Sequence, residues 1–333
     1  MSGRRLLFFC PTKRRPVGGI KVLYRQAELA NKLLGTTPHS AAIVHPNRPF
    51  YKASWFSANP PILPLLLKPH IVNGKLKLTN IQKRLDPARD RVILPELWAH
   101  KYGPQLIREQ IPYAIYVQGG YLINTKPQQD TELAYHGARA IFTISDNTTE
   151  CVARAYPFTQ QKLFRVHYSV NHSIFHLQQQ KQNIITYMPR KLARHADLLK
   201  LFITPHLPKT WKLIPIDNAT EIEVARQMQT SKIFLSHIEL EGLPIPPLEA
   251  ALTGNMVIGY TGQGGTEYWH EPIFKKIEHG ALLDFAKEII NATTTDFDRF
   301  IEQSQSQRMA LKNLYSEATE LKDVENIISI MLN

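Results

Sequence analysis

The sequence predicts an α/β protein of two domains, each built on a parallel sheet covered by helices. Three observations carry that prediction. Strand-like and helix-like segments alternate along the chain, the pattern of parallel sheets with helices on both faces. The chain has 333 residues, more than the roughly 250–300 that one hydrophobic core usually serves. The alternation breaks once near the middle, at His167–Phe175.

The elements follow in order. Leu6–Phe9 is a short apolar run and reads as a buried first strand. Gly18-Gly19 comes next, and Ile20–Leu34 spaces its apolar residues for a helix. Ala41–His45, Arg91–Pro95, Tyr113–Val117 and Ala140–Ile144 read as further strands. Pro60–Pro69 holds four prolines and cannot form a regular helix. Thr148–Ala155 reads as a helix started by Asp146 or Asn147. Past the break, strands are expected at Ile184–Met188, Trp211–Ile216, Lys232–Leu235 and Met256–Tyr260. Helices are expected at Ala196–Phe202, Thr220–Met228, Pro246–Thr253 and within Phe297–Met331. Ligands of such sheets bind beyond the carboxyl ends of the strands, so the loops there are where chemistry is sought.

Composition narrows the classes. A hydrophobic fraction of 43% and a charged fraction of 20% are those of a globular protein. Two cysteines, Cys10 and Cys151, are too few for a disulfide framework or a zinc site and suit a reducing compartment. No run reaches the roughly 18 apolar residues of a membrane span. Leu6–Phe9 is too short for a secretory core, so a cytoplasmic location is expected.

The net charge of +12 is uneven: residues 1–168 hold 24 Lys+Arg against 9 Asp+Glu, and the remainder 16 against 19. A basic half either serves solubility or calls for an anionic partner, whether nucleic acid, anionic lipid or a phosphorylated substrate, and its asymmetry favours the partner. Nucleic acid rests on charge alone, because no RNA-recognition signature, zinc spacing or arginine-rich helix accompanies it.

The informative stretch runs from Leu235 to Gly254: LSHIELEGLPIPPLEAALTG. A short strand enters a Gly/Pro loop, and the loop opens a helix with proline at its start and glycine at its end. Glu241 falls in the loop and Glu249 in the expected first helical turn. A glutamate there suits the helix dipole, worth about 0.3–1 kcal/mol. The same helix end offers backbone amides to an anion, with a carboxylate beside it to accept ribose hydroxyls.

The run from Glu241 to Glu249 resembles the E-x7-E motif of the retaining glycosyltransferases of family 4, usually EGFGLPxLEAxAxG. The next strand and Gly262-Gln263-Gly264-Gly265-Thr266-Glu267 are similar to that family's following strand and GG-x-x-E loop, one residue shorter. Val166–Phe175 resembles its interdomain linker, and Ile184–Lys191 the opening strand of its second domain, with proline in place of the usual glycine before Arg190. Val17-Gly18-Gly19-Ile20 is similar to its N-terminal glycine loop.

The resemblance implies a GT-B fold: two Rossmann-like domains with parallel sheets facing across a cleft. The expected bounds are 1–168 for the acceptor-side domain, 169–177 for the linker and 178–310 for the nucleotide-sugar domain. A C-terminal helix in 311–333 would pack back on the first domain. It also implies transfer of a sugar from a nucleotide-sugar donor with retention, without a cofactor and without a metal.

Glu241 would hold donor-sugar hydroxyls, Glu249 the ribose, and Arg190 the diphosphate. Where the family has a second cation, five residues past the arginine, this chain has His195; Arg194 is the expected substitute, ahead of Lys191. Gly18, Gly19, Gly242, Leu243, Gly264, Gly265 and Thr266 would line the donor. Gln118 would stand where many members have a histidine.

The expected acceptor is a glycan or lipid-linked chain, in surface polysaccharide or glycoconjugate synthesis, and no nucleic acid is expected. Pro61–Lys68 could dip into an anionic membrane surface or form a buried loop. Two rivals stay open: a non-catalytic basic binder of nucleic acid or anionic glycan, and a sugar-nucleotide epimerase.

Overall fold

The computed structural model describes residues 3–15, 17–46, 48, 50–65, 68–72, 75–80, 85–178 and 180–333. The chain divides into two compact units, Met1–Val166 with Glu320–Asn333, and His167–Thr319.

In the first unit, β1 (Arg5–Phe9) leads into α1 (Gly18–Leu34), then β2 (Ser40–Val44). An antiparallel hairpin follows, β3 (Lys68–Val72) with β4 (Lys75–Asn80). Then come β5 (Asp90–Pro95), α2 (Ala99–Arg108), β6 (Tyr113–Val117), α3 (Gln128–Gly137), β7 (Ala140–Thr143), α4 (Asp146–Ala155) and β8 (Leu163–Arg165). Apart from the hairpin the strands form one parallel sheet in the order β2-β1-β5-β6-β7-β8.

Every residue of β5, β6 and β7 is buried. Central strands of a parallel sheet are covered on both faces, so continuous apolar runs replace alternation there. β8, at the edge, is half-exposed. Asp90 opens β5 fully buried and takes two hydrogen bonds from the Arg5 guanidinium, at 2.7 and 2.8 Å. That fork lies at the amino ends of the strands, away from the expected site.

The second unit alternates as expected: β9 (Gln182–Tyr187), α5 (Ala193–Ile203), β10 (Lys212–Pro215), α6 (Glu221–Thr230), β11 (Ser231–Ser236), α7 (Ile245–Leu252), β12 (Met256–Gly259), β13 (Phe274–Lys276) and α8 (Leu282–Ala292). Its five strands are parallel, in the order β10-β9-β11-β12-β13. The core joins β9, β11 and β12 to α5 and α8 through Ile185, Leu199, Leu235, Ile258, Phe285 and Ile289. The expected helical segment at the C-terminus is three helices: α9 (Phe297–Gln303), α10 (Gln305–Leu314) and α11 (Glu317–Leu332). Within the first unit, buried Glu320 of α11 pairs with Arg25 of α1 at 2.6 Å.

Three of the boundaries that differ from the expectations concern helix starts. Helix α1 begins at Gly18 behind an extended Val17, so Gly18 and Gly19 form its first turn and not a preceding loop. The cap of α4 is Ser145, whose hydroxyl accepts the Thr148 N–H at 2.9 Å; Asp146 and Asn147 are already helical. Helix α7 begins at Ile245 behind Pro244, one residue early. Glu249 is therefore the fifth helical residue and lies in the second turn, not the first.

In the proline-rich segment Ile62 pairs with Ile43 of β2, and Leu65 is buried. Leu66 and Leu67 lie outside the described residues. Among the described residues no helix is long and apolar enough to cross a membrane.

Candidate active site

The loop from β11 to α7, at the carboxyl end of the second sheet, is held from several sides. The Glu241 N–H donates to Gly262 O at 2.8 Å, and Gly264 N–H returns to Glu241 O at 3.1 Å. The Tyr168 hydroxyl donates to Leu243 O at 2.6 Å, and that of Tyr268 to Pro244 O at 2.7 Å. Two loops and two buried tyrosines thus fix the backbone from residue 241 to 244. Gly264 is required by this approach: a Cβ there would sit 1.8 Å from Gly242 O. The facing loop is itself constrained, with positive φ at Gly262 (64°) and at Gln263 (67°).

Glu241 and Lys191 meet in an ion pair. Lys191 follows Arg190 in the β9–α5 loop, and the next residue, Leu192, is left-handed with φ 48°. A branched side chain in that conformation is strained, and the turn it makes leads directly into α5. Partial burial, and then the adjacent Arg190 charge, lower the Lys191 pKa to about 8. Arg190 is exposed, and Arg194 is exposed on the first turn of α5. The structure thus brings Lys191, and not Arg194, onto the motif carboxylate. Glu249 is half-buried on α7, eight residues past Glu241. Gly265 is buried; Thr266 is exposed, its hydroxyl bonded to Gln263 O at 2.7 Å.

The amides at the start of α7 are fewer than the sequence pattern suggested. Pro244, Pro246 and Pro247 carry no N–H, so Ile245 is the one donor from 244 to 247. Prolines are tolerated in a first turn because its N–H groups lack helical partners anyway. The same substitution removes donors that would have faced an anion. Positive charge at this edge therefore comes from side chains, Arg190, Lys191 and Arg194 among them.

Beside this loop His195 belongs to a group whose other members, Tyr260, His279 and His237, have no motif in the sequence. His195 Nδ1 and the Tyr260 hydroxyl are 3.1 Å apart, and the His279 ring lies 4.9 Å from that of Tyr260. His237, directly after β11, is buried, and its pKa falls to about 4 by burial and then by nearby His195. It is neutral at pH 7.

In the first unit Gln118, after β6, meets Gly19. Its Nε2 donates to Gly19 O at 3.2 Å, and a Cβ on Gly19 would lie 2.7 Å from its Oε1. The expected glycines and Gln118 are therefore neighbours. Beneath them is Glu96, just past β5 and 4% exposed. Burial pushes its pKa up to about 7, and hydrogen bonds from its own N–H and those of Gln118 and Gly119 act against that rise. Glu96 was missed in the sequence. The signal was a charged residue immediately after the apolar run Val92–Pro95 that closes β5, at the end where such sheets bind ligands.

No protein-family model matches the chain, and no curated protein matches it in sequence. Solved structures do match in fold. HepE of Anabaena, solved with UDP-glucose, aligns at a TM-score of 0.71 and 11% identity, over 98% of this chain and 99% of that one. Sucrose-phosphate synthase of Thermosynechococcus elongatus aligns at 0.70 and 10%, over 98% of each. TarM aligns at 0.67 and 9%, over 97% of this chain and 98% of that one. The chain has the two-domain α/β architecture of these GT-B glycosyltransferase structures.

Proposed function

We propose that this protein is a retaining, family-4-like glycosyltransferase that moves a sugar from a nucleotide-sugar donor to a glycan or lipid-linked acceptor in surface polysaccharide or glycoconjugate synthesis. One observation carries the reading: the pinned loop after β11 holds Glu241 against Lys191, beside Arg190, with Glu249 on the helix that follows.

In this reading Arg190 and Lys191 take the donor diphosphate. A guanidinium fork and an ammonium both match phosphate oxygens. Glu249 accepts the ribose hydroxyls. Glu241 exchanges part of its contact with Lys191 for hydroxyls of the transferred sugar. As the glycosidic bond to the diphosphate lengthens, negative charge builds on the leaving oxygen, and the fixed cations stabilise it most at that point. Side-chain cations fill the role a divalent ion often plays, so the reaction is proposed to run without one. In the same reading Gln118, whose amide meets Gly19 O, donates a hydrogen bond to the transferred sugar. The basic first unit suits an anionic acceptor, including one presented at the inner face of a membrane.

The test is a thermal-shift panel of nucleotide sugars and free nucleotides. A ligand that binds only the folded state raises Tm by mass action, about 2.7 kcal/mol at 100 times Kd. One nucleotide series should shift wild type and fail to shift Glu249→Ala. With that donor, proton NMR of the product should show the donor's anomeric configuration, in EDTA as in buffer. No shift in a folded protein, an inverted product, or activity abolished by EDTA and restored by manganese would each contradict the corresponding part.

A further inference from the structure

The carboxyl ends of β1 and β2 carry a cluster of positive charge that the donor roles do not use. Residues 1–60 contain ten Lys+Arg and one acidic residue, Glu28. Glu28 is engaged with the Asn59 N–H at 2.9 Å. Five of the cations, Lys13, Arg14, Arg15, Arg48 and Lys52, are exposed on two loops.

Aromatic side chains hold those loops together. The Tyr51 hydroxyl donates to Lys13 O at 2.5 Å, and Trp55 Nε1 donates to the same oxygen at 3.3 Å. Successive turns, Arg48 N–H to His45 O at 3.1 Å and Tyr51 N–H to Arg48 O at 2.9 Å, bring Arg48 and Lys52 beside that clamp. Below it the network is closed. His45 bonds Cys10 O at 2.8 Å and the Tyr24 hydroxyl at 2.6 Å, and Tyr24 accepts the Ala53 N–H at 3.1 Å. Burial lowers the His45 pKa to about 4, so this anchor is a neutral, rigid floor and adds no charge.

The fold thus gathers like charges on a fixed base. Helix α1, which starts just past Arg15, has neither a side-chain cap nor an acid in its first turn. Its positive end adds to the field of the loops. Phe50 stands 78% exposed on the second loop, offering an aromatic face among the cations.

We infer that these two loops form a subsite for the anionic group, phosphate, sulfate or carboxylate, of a glycan acceptor, with Phe50 against the sugar. The inference rests on the glycosyltransferase reading for the word acceptor, but the anion subsite can be tested by itself. A glycan is favoured over a lipid surface because the cations sit on a clamped pair of loops with one exposed aromatic ring, a local and shaped surface.

The probe is a fluorescein-labelled heparin oligosaccharide, titrated at low and at physiological salt. Arg14→Glu/Arg15→Glu and Arg48→Glu/Lys52→Glu should each weaken it by about tenfold or more, since each reverses two charges at the binding surface. Arg108→Glu, an exposed charge at the end of α2, is the control and should change it less than about twofold. Circular dichroism and Tm confirm that the exposed substitutions leave the fold intact. UDP is titrated in parallel and should bind the loop variants as it binds wild type.

Equal losses in the loop variants and the control would overturn the subsite in favour of diffuse charge. Loss of UDP binding in step with the probe would assign the loops to the donor diphosphate instead. Binding to vesicles containing anionic phospholipid, with none to the oligosaccharide, would replace the glycan by a membrane. Loop-dependent probe binding in a protein that binds no nucleotide would leave the anion subsite standing and remove the transferase reading.

Discussion

The carboxyl-end loops of the two units differ in how their polar groups are held. In the second unit Glu241 and Glu249 belong to one contiguous loop and helix, and main-chain constraints shape the loop: glycine at 264, prolines at 244, 246 and 247. In the first unit Glu96, Gln118 and Gly19 come from three separate segments: Glu96 takes the Gln118 and Gly119 N–H groups, and Gln118 meets Gly19 O. The first arrangement leaves a pattern in the sequence. The second leaves isolated residues, each ordinary where it stands. The contiguous segment is therefore legible by itself; of the tertiary cluster, Gly19 and Gln118 are reached only through the family resemblance, and Glu96 not at all.

The largest expected effect tests the legible side. Glu241→Ala should lower the transfer rate by about 10²–10³, the range for losing one preorganised polar contact to a transition state. Its Tm should change little, because Glu241 is partly exposed and leaves Lys191 open to solvent. A large Tm loss with donor binding intact would make the ion pair structural.

Next, Glu96→Gln probes the hidden side through pH. The folded-state pKa is raised, to about 7, above the ordinary 4.5. The folded protein then binds more protons than the unfolded chain between those values, so stability falls as pH rises across that window, by on the order of 2–3 kcal/mol. Urea midpoints from pH 5 to 8 should show this slope in wild type and lose it in Glu96→Gln. Equal slopes would remove Glu96 as the buried titrating group.

Glycine substitutions sharpen the contrast directly. Gly264→Ala drives a Cβ into the Gly242 carbonyl and should cost about 1–3 kcal/mol, with loss of activity. Gly19→Ala meets the tip of the Gln118 side chain, which can turn away. It should cost under about 1 kcal/mol. Similar Tm losses would show that the second loop is less rigid than its contacts imply.

The smallest effect concerns Lys191. With its pKa lowered to about 8, donor affinity should weaken as pH rises past that value and the ammonium loses its proton. Lys191→Arg keeps its charge there and should flatten the profile, measured by nucleotide titration from pH 7 to 9.

The parallel-sheet architecture was readable from alternation alone, and the resemblance of the E-x7-E segment supplied the fold type. What was misread is instructive. Pro244 cannot be told from a loop residue in sequence, yet as the residue before α7 it moves the helix start and carries Glu249 into the second turn. Arg194 is the substitute that spacing favours for the second cation; the left-handed Leu192 turns the chain between it and Lys191, and Lys191 is the one paired with Glu241, a contact no local pattern reveals. The clamp by Tyr168 and Tyr268 joins residues 75 and 24 positions apart from their carbonyl partners, beyond any local pattern.

The most direct test of the central claim is a crystal structure of the protein with a bound nucleoside diphosphate. The account predicts the diphosphate within hydrogen-bond distance of Arg190 and Lys191, with ribose hydroxyls on Glu249. A nucleotide bound elsewhere, or with its phosphates away from both cations, would contradict it.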